Sequence, residues 1–136
     1  MDCRLGRERR EGGFMSLHDY IAQGRARRLR YGSHDCVTFA GRWAEAQSGK
    51  KLVPAYSSLK QGRAILGKES PVDVLARECV EVPVLMAQRG DVAVLPSDTD
   101  LPALGIVCGH RIACFVGREV GFVSLEAAER VFRCQR

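Results

Sequence analysis

The change of hydrophobic period near Arg89 is the feature that most constrains how this chain of 136 residues folds. Before it, apolar residues recur at helical spacing, whereas after it short apolar runs alternate with turns that contain glycine. Helices followed by a series of antiparallel strands predict an α+β domain. The predicted strands are Val92–Leu95, Leu104–Val107, Ile112–Val116 and Val120–Ser124, with Val131–Cys134 as a closing strand.

Four helices are predicted before that boundary. Ser16 is the expected N-cap of the first, which runs into the basic stretch Arg25 to Arg30 because cations suit a helix C-terminus. Ser33 is the expected N-cap of the second, which extends from about residue 34 to Ser48 and is stopped by Gly49. Two shorter helices are expected at Ser57–Leu66 and at Pro71–Cys79, the latter with proline in a favourable first position.

Length and composition favour one globular domain. Domains commonly contain about 100–150 residues, and 46% hydrophobic with 27% charged residues is ordinary for a globular protein. No run approaches the roughly 18 consecutive apolar residues of a membrane span. The N-terminus is basic, but no apolar core follows it, so no secretory signal is expected. We expect a basic, flexible arm over residues 1–15 and a single domain over residues 16–136.

The positive charge is concentrated near the N-terminus. Residues 1–31 hold eight Arg against four acids, which gives +4 of the net charge of +5. Residues 32–136 hold thirteen basic against twelve acidic residues, which gives +1. Such an arm can contact nucleic acid, an anionic surface or an acidic partner, or can be a solvated leader. Aromatic residues are sparse in it and no nucleic-acid motif is present, so nucleic acid is not the expected partner.

The spacing of the six cysteines excludes several kinds of site. No C-x-x-C pair is present, which excludes a zinc ribbon and a thioredoxin-type motif. An iron–sulfur or zinc site would need scattered cysteines to be gathered by the fold, and we expect no cofactor and no metal. Several cysteines lie in apolar runs, where reduced, buried thiols and folding in a reducing cytoplasm are expected. The six are Cys3, Cys36, Cys79, Cys108, Cys114 and Cys134.

Candidate chemistry centres on the segment YGSHDCVTFA at residues 31–40. Cys36 is expected in the first turn of the second helix, where N–H groups and the helix dipole lower a thiol pKa and can bind an oxyanion. A cysteine at a helix start is as often purely structural. His34 is a candidate base, against a capping or surface role. Asp35 either stabilises the helix N-terminus as an anion or orients a base.

At this point the chain resembles the NlpC-type peptidases, which are papain-like cysteine peptidases that cut cell-wall peptides. The resemblance covers roughly Tyr31 to Phe132. It implies a papain-like fold in which N-terminal helices, one of them carrying Cys36, pack on an antiparallel sheet. It is carried by Asp35-Cys36 before an apolar helix with Trp43 and Gly49, by the strand Gly90-Asp91-Val92-Ala93-Val94-Leu95, and by the run Ala103 to Gly109.

The resemblance also implies a missing base. The catalytic histidine of the family falls at Ala103, and its third, orienting residue falls near Ala113 or Phe115. An alanine cannot accept a proton, so the ordinary cysteine dyad fails. His110 is expected at the far end of the same strand, about 17–20 Å away, and His18 precedes the core of the domain.

More narrowly, the chain resembles a small domain family encoded in phage and prophage tail gene clusters. The cues are Arg-Gly-Asp-Val at 89–92, Ala-Leu-Gly-Ile at 103–106 and Gly-Phe-Val at 121–123. This resemblance implies an assembly component of a bacteriophage tail tip or baseplate that contacts other tail-tip or hub proteins. Such a virion component is made in the host cytoplasm and carried in the virion tail.

The alternative is an active cysteine peptidase or amidase that cleaves peptidoglycan peptides. Cys36 would then be the nucleophile, with His34 as its base and Asp35 beside them. Helix N–H groups near Cys36 would form the oxyanion hole. An enzyme needs an imidazole within hydrogen-bond reach of the Cys36 sulfur and an open groove above it, whereas an assembly module needs neither.

Overall fold

The computed structural model describes residues 15–97 and 101–134. Almost all of the expected N-terminal arm, residues 1–15, lies outside the described residues. Within the described ranges the chain forms four helices, α1 (Leu17–Arg25), α2 (Thr38–Ser48), α3 (Leu59–Leu66) and α4 (Pro71–Glu78). They are followed by β1 (Val80–Val82), β2 (Val92–Leu95), β3 (Ala103–Cys108), β4 (Arg111–Val116), β5 (Glu119–Ser124) and β6 (Arg130–Arg133).

All of the strands belong to a single sheet with the order β1-β6-β2-β3-β4-β5, and every pair is antiparallel. The α+β class and the antiparallel sheet are therefore confirmed. Strands β2 to β5 form the predicted meander. The closing strand β6 does not extend the meander but returns to pair with β2 on the opposite side from β3. The other edge of β6 pairs with β1, a strand that the sequence analysis did not predict.

Local capping explains where three of the helices begin. The Ser16 hydroxyl accepts a hydrogen bond from the Asp19 N–H at 3.1 Å, as predicted for α1. Ser58 and Ser70 cap α3 and α4 in the same way. At the end of α2, Gly49 adopts a left-handed conformation with φ 73°, which confirms it as the stop.

The predicted start of α2 is wrong by four residues. The helix begins at Thr38, so Ser33 is not its cap and Cys36 lies in the turn that precedes it. The reason is that His34 and Arg30 exchange backbone hydrogen bonds as an isolated bridge, which keeps this stretch out of the helix. The Asp35 carboxylate then accepts from the N–H groups of the first turn.

The core lies on both faces of the sheet. Helix α2 packs on the face that contains Leu104, Ile106 and Phe132. Trp43 of α2 is buried there, and its Nε1–H donates to the Gly90 carbonyl at 2.9 Å, just before β2 begins. The opposite face buries a second cluster made of Ala93, Leu95, Val107, Ile112, Cys114 and Val131.

The expectation of reduced thiols is wrong for Cys108, which is disulfide-bonded, and for Cys79 and Cys134, which form a disulfide with each other. Cys79 and Cys134 are 55 positions apart in the chain. Their Cα atoms are 4.7 Å apart because Cys79 precedes β1 and Cys134 follows β6, and these two strands pair with each other. The disulfide therefore joins the end of α4 to the residue that follows β6. Cys36 and Cys114 are free thiols.

Removing this disulfide should destabilise the fold. Closing a loop of this length stabilises a folded domain by about 2–4 kcal/mol. We expect the Cys79→Ser/Cys134→Ser double variant to lose that much in urea unfolding under non-reducing conditions. Wild-type protein in reductant should be no more stable than the variant, because reductant also cleaves the disulfide of Cys108. Equal stability of variant and wild type, or alkylation of both cysteines in native unreduced protein, would contradict the pairing.

Candidate functional site

A groove of about 380 Å³ opens beside Cys36, whose side chain is partly exposed. The Leu104 N–H donates to the Cys36 carbonyl at 2.9 Å, so the turn before α2 is hydrogen-bonded to the start of β3. This bond places Cys36 next to Ala103, and both residues line the groove. The other lining residues are Leu29, Tyr31, Leu59, Arg63, Pro96, Ser97, Leu101, Phe115 and Gly117.

The groove contains the positions at which the papain-like resemblance expects a catalytic base and its orienting residue. Ala103 occupies the first of them, and Phe115 occupies the second. Ala113, the alternative for the second position, is buried in the core instead. Among the described residues that line the groove there is no histidine and no carboxylate. No side chain in that set can therefore deprotonate Cys36 at neutral pH.

The Cys36 thiol is held in its neutral form. Burial raises its pKa to about 11, and the negative charge of Asp35 contributes to the rise. A hydrogen bond from the backbone acts in the opposite direction but does not compensate. This is the reverse of the lowering that a position in the first helical turn would give.

The Asp35 carboxylate is the structural centre of the site. It is fully buried and accepts five hydrogen bonds. Oδ1 accepts from the N–H groups of Val37 and Thr38 and from the Thr38 hydroxyl, at 2.8–3.1 Å. Oδ2 accepts from the Gly32 N–H at 2.8 Å and from the Tyr56 hydroxyl at 2.7 Å. Burial and the bond to this carboxylate raise the pKa of Tyr56.

These bonds engage helix N–H groups near Cys36, the kind of donor that the sequence analysis assigned to an oxyanion hole. The Val37 and Thr38 N–H groups donate to Asp35 instead. The Phe39 N–H donates to the Asp35 carbonyl at 3.1 Å. Both carboxylate oxygens are engaged, so Asp35 has the anionic capping role of the sequence analysis rather than the role of orienting a base.

Gly32 is required by the same arrangement. Its φ is 91°, and a Cβ at this position would lie 1.7 Å from the Tyr56 carbonyl oxygen. Only glycine therefore allows the loop before Asp35 to approach the segment that carries Tyr56.

His34 is buried away from the groove. Its Nε2 is 2.8 Å from the Gly24 carbonyl, a bond that ties the loop to α1. The ring packs edge-on against Phe115, with 4.9 Å between ring centroids, and Phe115 rather than His34 faces the groove. Burial lowers the pKa of His34, and the charge of Arg27 lowers it further, against the bond to Gly24. The structure thus does not bring His34 to Cys36 as a base.

The other two histidines also lie outside the groove lining. His110 occupies the turn between β3 and β4, at the opposite end of β3 from Ala103, as expected. His18 is exposed on α1.

Asp91, at the start of β2, is a second buried carboxylate with a structural role. Its Oδ2 accepts from the Gln88 N–H at 2.8 Å, a bond that fixes the entry of the chain into β2. Arg133 of β6 forms a two-pronged ion pair with it, at 3.1 and 2.9 Å. This pairing depends on β6 crossing back to β2, which nothing in the local sequence indicates.

Within the described ranges, no group of three or more His, Cys, Asp and Glu side chains is arranged to hold a metal ion. None of the helices in those ranges has the length and apolar character needed to cross a membrane.

Replacing the Asp35 carboxylate should destabilise the domain strongly. In Asp35→Asn one acceptor oxygen becomes an NH₂ group, so buried donors lose their partner, and we expect a loss of about 2–4 kcal/mol in urea unfolding. Asp73→Asn is the matched control, because Asp73 is an exposed carboxylate in the first turn of α4. A loss no greater than that of the control would contradict the central role of Asp35.

Residues 9–134 of the chain match the protein family described as Domain of unknown function (DUF6950). No curated protein matches the sequence. The description of the family names neither an activity nor a partner, so the function is argued from the site and from the sequence resemblances.

Proposed function

The chain belongs to the DUF6950 family, and we propose that it is an assembly component of a phage or prophage tail tip or baseplate. In this proposal it has a papain-like fold of the NlpC type that no longer cleaves peptides. Its partners are other tail-tip or hub proteins. It is made in the host cytoplasm and resides in the virion tail.

One observation supports the loss of activity more than any other. The partly exposed Cys36 thiol lies in a groove whose neighbouring position is Ala103, where an active enzyme of this type needs a base. The raised pKa of Cys36 also supports the loss of activity. The thiolate is the nucleophile, and a raised pKa lowers its fraction at neutral pH. The tail-tip setting is supported by the resemblance to domains encoded in tail gene clusters.

The competing function is a cysteine peptidase or amidase acting on peptidoglycan peptides. The observation in its favour is that Cys36 is partly exposed and lines an open groove. A base would then have to come from outside the described groove lining.

Gene deletion with complementation separates the two functions. Deleting the gene from an inducible prophage should give particles with defective or absent tails in electron micrographs. We expect wild-type protein and the Cys36→Ala variant to restore infectious particles equally, because an assembly module does not need the thiol. Cys36→Ala is a small change at a partly exposed position, so folding should persist, and a thermal melt of the purified variant checks this.

Two outcomes would contradict the proposal. Intact, infectious particles from the deletion strain would remove the role in tail assembly. Well-formed particles from Cys36→Ala that fail to infect would instead favour the peptidase. Release of peptides from purified peptidoglycan by wild-type protein, but not by Cys36→Ala, would confirm that second reading.

A further inference from the structure

The segment RARRLR at residues 25–30 has a charge that the fold does not explain. Helix α1 ends at Arg25, so the favourable effect of a cation at a helix C-terminus applies to Arg25 but not to the residues that follow. Residues 20–34 contain no acidic residue. Arg27, Arg28 and Arg30 are all exposed. We call residues 25–30 the arginine loop.

The charges of the arginine loop have no counterpart in the described part of the chain. Arg25 lies over the Phe122 ring, at 5.2 Å from its centroid. Arg27, Arg28 and Arg30 form no ion pair with any described residue. Elsewhere four arginines pair with carboxylates, as Arg42–Glu45, Arg77–Glu69, Arg130–Glu81 and Arg133–Asp91.

The backbone of the arginine loop is held in one conformation. Arg30 N–H donates to the His34 carbonyl and His34 N–H donates to the Arg30 carbonyl, both at 2.8 Å. The Gly24 carbonyl accepts from the Arg27 N–H at 3.2 Å and is bonded to His34 Nε2 at 2.8 Å. His34, which catalysis does not use, therefore fixes the loop. A fixed loop loses less conformational entropy when it binds a partner.

A small pocket of about 180 Å³ adjoins the arginine loop. Its polar lining includes Arg27, Gln23, Ser33 and His34, together with Arg42, whose guanidinium is already paired with Glu45. No carboxylate is among the described residues that line it. A guanidinium fork binds a carboxylate through two parallel hydrogen bonds, so the pocket suits a single carboxylate group.

We propose that the arginine loop and this pocket form a docking site for an acidic peptide segment of a partner protein. One carboxylate enters the pocket at Arg27, and further acidic side chains pair with Arg28 and Arg30. This inference goes beyond the proposed function and does not depend on it, since the partner is defined by its charge.

A nucleic acid fits the same surface less well. Residues 32–136 contribute only +1, so the described surface beyond the arginine loop carries little net charge, whereas protein–DNA interfaces spread cationic contacts over about 1,000–2,500 Å². The neighbouring aromatic ring is also occupied. Phe122 has Arg25 at 5.2 Å and Arg111 at 4.4 Å from its centroid, so a base does not stack on it.

Fluorescence anisotropy with a labelled deca-glutamate peptide tests the proposal at about 50 mM salt, where charge contacts are weakly screened. We expect the triple variant Arg27→Gln/Arg28→Gln/Arg30→Gln to weaken binding by about tenfold or more. The matched control is Lys51→Gln/Lys60→Gln/Arg118→Gln, which removes the same charge from exposed positions elsewhere and should change binding by about twofold or less. A labelled deca-glutamine peptide should not bind.

Single variants test the pocket separately from the charge of the loop. Arg27 lines the pocket and Arg28 does not. Arg27→Gln should therefore weaken binding more than Arg28→Gln, although both remove one positive charge. All of the replaced side chains are exposed, so thermal melts should agree with wild type.

Three results would overturn the proposal. If the control triple variant loses as much affinity as the arginine-loop variant, net charge alone explains binding. If Arg27→Gln and Arg28→Gln are equivalent, the pocket takes no carboxylate. If a 20-base-pair DNA duplex, or a vesicle with anionic lipid, binds more tightly than the acidic peptide through the same arginines, the partner belongs to another class.

Discussion

The buried carboxylate of Asp35 is the interaction on which the arrangement around Cys36 depends. Its five hydrogen bonds gather the Gly32 turn, the first turn of α2 and the Tyr56 hydroxyl around one charge. A buried carboxylate is tolerable only when its oxygens are this fully satisfied. Because Asp35 adjoins Cys36, the same bonds fix the turn that presents the thiol to β3 and to the groove.

The hydrogen bonding and the charge of Asp35 disfavour the formation of a thiolate at Cys36. The Val37 and Thr38 N–H groups, which lie close to Cys36, donate to Asp35 instead of to a thiolate or an oxyanion. The negative charge of Asp35 then raises the pKa of the neighbouring thiol, in addition to the effect of burial. With Ala103 across the groove, the site combines a neutral nucleophile with no base in its described lining.

Much of the fold could be predicted because its signals are local. Serine caps, the glycine stop after Ser48, proline at the start of α4 and the glycine turns between strands all act within a few residues. The start of α2 was missed because the backbone bridge between Arg30 and His34 keeps this stretch out of the helix. Strand β1 and the Cys79–Cys134 disulfide depend on β6 returning to the sheet, which is a long-range pairing.

Part of the candidate site was also predicted from the sequence. The position of Ala103 beside Cys36 followed from the resemblance, and the groove contains both residues. The orientation of His34 did not follow, because it is decided by the Gly24 carbonyl on α1 and by Phe115 on β4. The spacing of two residues between His34 and Cys36 gives no information about either contact.

We infer that the Cys36 thiol is not activated as a nucleophile. The pH dependence of its alkylation tests this inference most directly. Site-resolved mass spectrometry of native protein treated with iodoacetamide would measure the rate at Cys36, with Cys114 as an internal comparison whose pKa burial also raises to about 11. We expect the rate of Cys36 alkylation to rise about tenfold per pH unit without a plateau below pH ~10, since only the thiolate reacts. A plateau below pH ~8 with rapid labelling would show an activated thiolate and contradict the account.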